Sequence, residues 1–350
     1  MRRLSRGRIL SVCAVMLAAW VLSVLLALGI GSVSISPGVS ARLIAGRITG
    51  QQPQGTSAET IVLQVRLPRI LLASLVGAAL ALAGAAFQSL LRNPLADPYV
   101  LGVSTGASTG TILFIILAAS LAAQTSVMLA PYARPAAAFA GAAVTVAAVY
   151  LIAGGTDRSG EGSQRLLLAG IVMASFISSI NVFLLTSANQ ADLRGIFYWL
   201  IGDLSRPADA SIYVVAVMVL AGSLLLYVHS NSLNLISAGE NDALTLGVEV
   251  AKVKLRVYLL ASLITGAVVS ISGPIAYIGL ICPHIVRMIV GGDNRMLFPV
   301  VLVFGAVFTL AADTAARTVV APAELPVGVI TALCGAPLFI YLLRRKGGGW

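Results

Sequence analysis

An all-α polytopic membrane bundle of about ten spans, one domain over residues 1–350, is the fold this sequence predicts, and three observations predict it. Hydrophobic residues make up 58% of the chain and charged residues only 10%, far from the balance of a soluble globular domain. Apolar runs near the ~20 residues that a span requires recur along the whole chain. The 34 glycines, mixed with alanine and serine, suit helices whose backbones approach closely where lipid offers no hydrophobic drive.

Span one is Ile9 to Ile30, behind the basic "MRRLSRGR". The charge pattern resembles a signal peptide, but the run exceeds an h-region of about 7–15 residues, so a retained span is expected. Ser32 to Gln64 reads as a polar loop bearing Gly, Pro and Ser. Span two is Ile70 to Leu91, an unbroken Ala/Leu/Gly run, and span three, Tyr99 to Ala122, follows "RNPLADP", where Pro94 and Pro98 limit the loop. Spans four and five are Ala136 to Ala153 and Leu166 to Thr186. The amphipathic "ADLRGIFYWLIG" carries Tyr198 and Trp199, which favour headgroup depth, and is expected to lie at the interface or to re-enter the membrane. Span six, Ile212 to Val228, precedes a long polar interval, His229 to Lys254. Spans seven to ten are Leu255 to Ser272, Ile275 to Ile289 with Pro283 expected to break it, Leu297 to Ala312, and Val327 to Leu343.

An even number of spans puts both termini on one side. Arg2, Arg3, Arg6, Arg8, Arg92, Arg158, Arg165, Lys252, Lys254, Arg256, Arg287, Arg295, Arg344, Arg345 and Lys346 fall there, fifteen of the 23 basic residues. That side is therefore expected to be cytoplasmic. Arg66, Arg69 and Arg317 face outward against this bias, with no obvious acid beside them in their own segments, which invites a functional reason.

Several function classes are excluded or disfavoured. No G-x-x-x-x-G-K-[ST] occurs, so any ATP is hydrolysed by a partner. There is no Ser/His/Asp set, no H-E-x-x-H and no paired-carboxylate arrangement. Cys13, Cys282 and Cys334 form no C-x-x-C and read as core packing, without disulfide or zinc. The net charge of +10 is dispersed at helix ends, where membrane orientation explains it better than nucleic acid does.

Within the polar interval, "SAGENDALTLG" sets Gly239 before the acids Glu240 and Asp242, and Gly247 stops a helix of about two turns. A helix this short needs tertiary support or a partner's groove. It is either an amphipathic connector or a contact element.

Three long stretches then carry a resemblance: "RLPRILLASLVGAALALAGAAFQSLLRNPLADPYVLGVSTGAS", "GPIAYIGLICPHIVRMIVGGDNRMLFP" and "APAELPVGVITALCGAPLFIYLLRR", together with "LGVEVAKV". From about Ile35 to Lys346 the chain closely resembles the permease subunits of type II ATP-binding-cassette importers for iron chelates, haem and cobalamin. The resemblance implies a multi-pass cell-membrane protein with ten helices per subunit, and a homodimer with the pathway at its interface. It also implies two cytoplasmic ATPases that bind ATP and Mg, an extracytoplasmic binding protein, and no cofactor in this chain.

By the same resemblance, Arg66, Arg69 and Arg317 dock the binding protein by receiving its carboxylates. Gly239, Glu240, Asp242, Leu246 and Gly247 belong to a coupling helix that inserts into the ATPase. Gly162, Ser163 and Gln164, in the mobile loop "GGTDRSGEGSQR", match the cytoplasmic gate. A ferric siderophore is the first expectation for cargo, cobalamin the second and haem the third, since His229 and His284 both map near the cytosol. The rival class is an ion-coupled secondary transporter, for which Asp313 is the clearest intramembrane carboxylate.

Overall fold

Where the sequence suggests a loop leading into span two, Ser57 to Leu91 forms one helical rod of 35 residues. The computed structural model describes residues 6–31, 33–51, 55–121, 130–155, 162–205 and 210–345. Its helices are α1 (Arg6–Gly29), α2 (Pro37–Ile48), α3 (Ser57–Glu59), α4 (Leu67–Leu91), α5 (Val103–Leu121), α6 (Ala130–Ile152), α7 (Gly162–Thr186) and α8 (Gln190–Leu200). They continue with α9 (Ala210–Val228), α10 (Ser230–Ala238), α11 (Glu240–Thr245), α12 (Val250–Ser272), α13 (Ile278–Val290), α14 (Asn294–Thr318) and α15 (Val327–Arg345). No strand occurs among the described residues. Among the described residues, six helical stretches are long and apolar enough to cross a membrane, and four more are apolar but shorter.

Local chemistry explains the extra helix before span two. Thr56 accepts a hydrogen bond from the Glu59 N–H at 3.2 Å, and Glu59 accepts one from the Gly55 N–H at 2.9 Å, a reciprocal cap that starts α3. Between α3 and α4 the backbone widens into a π-helical segment, Thr60–Arg66, where the Leu67 N–H reaches back to Val62 O. Pro68 follows at once; the wider turn eases the clash of its ring with the carbonyl four residues back. Upstream, Ser36 caps α2 with Pro37 at its first position.

α4 is the axis of the bundle: 83% of its spanning window is buried, against 17% for α7. It packs on α14, α12 and α13. Glycines set the distances. A Cβ on Gly77 would lie 2.2 Å from Gly305 O on α14, and one on Gly84 only 1.9 Å from Gly279 O on α13. α5 and α6 meet the same way, a Cβ on Gly141 falling 2.2 Å from Gly106 O. Gly84→Ala is therefore expected to cost about 1–3 kcal/mol or more as the two backbones are forced apart. A lowered melting temperature of the detergent-solubilised protein is the readout.

Two spans read from the sequence are shorter than they looked. α13, of 13 residues, is about 20 Å long, less than a hydrocarbon core. Pro283 lies inside it and does not break it. The carbonyl that Pro283 leaves without a helical donor, Gly279 O, is the one pressed on Gly84. α5 likewise begins only after a 3₁₀ turn, Pro98–Leu101. The two irregular segments meet inside the bundle, where Tyr99 Oη accepts from the Ile275 N–H at 3.0 Å. Asp97 accepts from the Tyr99 N–H at 2.8 Å. Non-helical backbone is thus satisfied against protein, as a membrane interior demands.

Of the cysteines expected in the core, Cys282 is buried but Cys334 is exposed on α15; the Cys13 side chain lies outside the described residues. α15 is a rim helix, so an apolar run there does not imply enclosure by this chain.

Candidate functional site

The two candidate sites lie at opposite ends of α4, about 37 Å apart along its 25 residues. At the first end stand Arg66, Arg69 and Arg317, exposed by 5%, 7% and 4%. All three guanidiniums are engaged within the chain, which corrects the expectation that no acid lies at hand. Asp313, wholly buried, takes Arg69 through Nε and Nη2, both at 2.9 Å, and Arg317 through Nε at 3.0 Å. Glu324 adds a 2.6 Å contact to Arg69, and its side chain is 41% exposed. The loop that carries Glu324 is folded back by the Leu325 N–H onto Ala316 O at 3.0 Å.

Arg66 does different work. It donates to Leu28 O at 2.6 Å, to Gly29 O at 3.4 Å and to Val33 O, closing the carbonyl end of α1. Gly31 leaves the room, since a Cβ there would fall 2.6 Å from the guanidinium. Arg66 and Arg69, three residues apart, therefore serve different neighbours instead of presenting one outward face. Asp313, the carboxylate that would have suited ion coupling, already neutralises two arginines.

The second end holds α10 and α11. Asn234 donates to Asp293 at 2.7 Å and accepts from the Asn294 N–H at 2.8 Å, while Ser89 on α4 donates to Asn294 Oδ1 at 2.8 Å. The Arg295 guanidinium beside Asp293 holds that carboxyl below its usual range. α11 closes in a Schellman turn: the Val248 N–H reaches Ala243 O and the Gly247 N–H reaches Leu244 O, both at 3.0 Å, with Gly247 at φ +82°. The Gly stop read from the sequence is therefore a backbone requirement. Gly239, at φ 166°, is simply extended.

The predicted contact residues divide. Leu246 is 66% exposed, as is its neighbour Leu244 at 55%, and Asp242 is exposed. Glu240 points inward, to Arg92 at 2.9 Å and Lys254 at 2.7 Å. Only 14% of its side chain is exposed. The reason is visible in the fold: α12 starts at Val250, one turn earlier than the apolar run, and brings Lys254 beneath α11.

The gate residues also differ from expectation. Gly162, Ser163 and Gln164 form the first turn of α7 instead of a loop; Gly162 and Ser163 are buried and Gln164 is exposed. Residues 156–161 of the expected gate loop lie outside the described residues. Along α7, Leu168, Val172, Phe176 and Phe183 are exposed by 59% or more, and the hydroxyls of Ser175 and Ser179 bond to their own helix. Asn181 faces the other way and clamps α5, accepting from Thr109 Oγ1 at 2.7 Å and donating to Thr105 O at 3.1 Å. An open groove of about 570 Å³ runs between α6 and the start of α7, beside Arg165, Val172 and Phe176.

Comparison with known proteins supplies the frame for these sites. Residues 18–345 match the model of the FecCD transport family. The cobalamin import system permease protein BtuC of Halobacterium salinarum is 41% identical, covering 83% of this chain and 75% of its own. The hemin transport system permease protein HmuU of Yersinia pestis is 38% identical over 82% and 84%, and the Fe(3+) dicitrate permease FecC of Escherichia coli 35% over 83% and 85%. Among solved structures, an inward-facing conformation reported for a metal-chelate type ABC transporter superposes with TM-score 0.81 at 31% identity, covering 96% of this chain and 99% of that one.

Proposed function

The chain belongs to the FecCD transport family, and from that membership we propose that it is the permease subunit of an ATP-binding-cassette importer whose cargo is a ferric siderophore. The observation that carries the reading is the coincidence of a near-complete structural match with a short helix, α11, that presents Leu244 and Leu246 to solvent at one end of the bundle. ATP and Mg belong to two partner ATPases seated on that end, which is cytoplasmic in this reading along with both termini. The chain itself contributes a route and no catalysis.

Two copies form the transporter, with the exposed faces of α7 and α15 lining the passage between them. Serine hydroxyls already bonded within α7, interleaved with exposed phenylalanines, offer a wide chelate many weak contacts and no trap. No imidazole or carboxylate stands on the described exposed face of α7, which favours a ligand-saturated iron chelate, or cobalamin as second choice, over haem. The gate is proposed at the first turn of α7, Gly162 to Gln164. An extracytoplasmic binding protein docks on the arginine end. Arg66, Arg69 and Arg317 shape that surface from beneath, and their direct use of an incoming carboxylate requires Glu324, the partly exposed partner, to release Arg69.

Reconstitution into liposomes with the cognate ATPase and binding protein tests the reading. ATP-dependent uptake of labelled ferric siderophore is expected, well above that of cobalamin and haem. Uptake of cobalamin or haem alone would reassign the cargo. An uptake driven by a proton or sodium gradient without ATP would overturn the importer class.

A further inference from the structure

Glu240 opens α11 with only 14% of its side chain exposed, and its Oε1 atom is shared by two cations from two different helices. Arg92 comes from the C-terminal cap of α4 and Lys254 from the second turn of α12. Lys254 is itself almost wholly enclosed, with 4% of its side chain exposed. Arg92 adopts left-handed backbone, φ 49° and ψ 38°, a region that favours glycine. An arginine held there has its guanidinium 2.9 Å from Glu240.

These contacts make α11 a two-faced element. One face, Glu240 with the wholly buried Ala243, is fixed to the bundle; the other, Leu244 and Leu246, is open. A push on the open face cannot displace α11 without carrying the ends of α4 and α12 or breaking both ion pairs. α4 is the most enclosed spanning helix, so movement entering there reaches α13 and α14, which pack on it.

We propose that Glu240 is the positioning residue through which movement of α11 enters the membrane, by joining it to Arg92 of α4 and Lys254 of α12. The inference rests on the importer reading above, and adds to it the point where the stroke passes from surface to bundle. Glu240 acts through the two helices and touches neither nucleotide nor cargo.

The test uses the whole transporter, permease with its ATPase and binding protein in liposomes, and reads cargo transported per ATP hydrolysed. Glu240→Gln keeps the shape and removes the charge. The ratio is expected to fall by about tenfold, within the usual range of a coupling between sites, while the ATPase still co-purifies with the permease. Glu240→Asp should recover part of it. Arg92→Gln should lower the ratio too, and adding it to Glu240→Gln should lower it less than independent effects require. A normal ratio in Glu240→Gln overturns the proposal, as does loss of ATPase binding in that variant. If Glu240→Gln does not fold, Arg92→Gln, whose side chain is 38% exposed, decides: a normal ratio there overturns the link to α4. A wild-type complex that transports nothing with ATP counts against the importer reading, a result distinct from these.

Discussion

Asp313→Ala is expected to cost about 3–5 kcal/mol, the largest single effect at the arginine end, because it strips two enclosed guanidiniums of their counter-charge. Asp313 is fully buried and meets Arg69 and Arg317 at 2.9 and 3.0 Å. Without it, Glu324 remains for Arg69, but its side chain is 41% exposed and the pair is correspondingly weaker. Arg317 keeps only a 3.3 Å hydrogen bond to Thr314 in the described contacts. The variant should yield little monodisperse protein, with a sharply lowered melting temperature. Replacing Arg69 and Arg317 by Met together with Asp313→Leu should recover much of that loss, since removing a whole buried charge set is far less costly than orphaning part of it. A wild-type melting temperature for Asp313→Ala would show that water reaches the cluster. By the same geometry, reversal of Arg66 and Arg69 to Glu is expected to unfold this end, so failed docking in that variant is no evidence of a direct contact.

Much of the bundle is legible in the chain because membrane helices declare themselves by length and apolarity; the C-terminal ends of α7, α9 and α12, at Thr186, Val228 and Ser272, fall where the apolar runs end. What escaped was chemistry at short range inside segments already labelled as loop. "TSAE" before span two is a helix start written in capping residues, and "SP" at residues 36–37 is another. Asp313 and Arg317 stand four residues apart, one helical turn, so their pairing was available from spacing alone. Glu324 and Lys254 were not available in that way, because each reaches its partner through a tertiary contact, 255 residues away for Arg69 and Glu324. The short spans α5 and α13 were hidden for a different reason. Hydropathy counts apolar residues whether the backbone is helical or not, and the irregular segments at 98–101 and 273–277, which precede α5 and α13, carry enough apolar residues (Val100 and Leu101, Ile275 and Ala276) to lengthen the apolar runs.

Leu246→Asp is expected to abolish most transport while leaving the permease folded, and the contrast with Asp313→Ala follows from exposure. At 66% exposure, Leu246 contributes little to the chain's own packing, and a polar replacement at such a site usually shifts stability by less than about 0.5 kcal/mol. On the proposed docking of α11 into an apolar groove of the ATPase, its cost would appear only there, where an unpaired carboxylate must be stripped of water. Truncating or inverting a buried anchor of an interface typically costs about 2 kcal/mol or more, which corresponds to at least a thirtyfold loss of affinity. The variant should therefore purify normally, keep its melting temperature, and lose the ATPase during size-exclusion chromatography. That separates it from Glu240→Gln, which should retain the ATPase and waste its turnover. Leu244→Asp, on the same open face, should behave like Leu246→Asp. Ala243→Asp should instead damage the permease itself, because Ala243 is wholly buried against the bundle. Full ATP-driven uptake by Leu246→Asp would move the ATPase contact off α11, and with it the assignment of this end of the bundle as the one that receives the stroke.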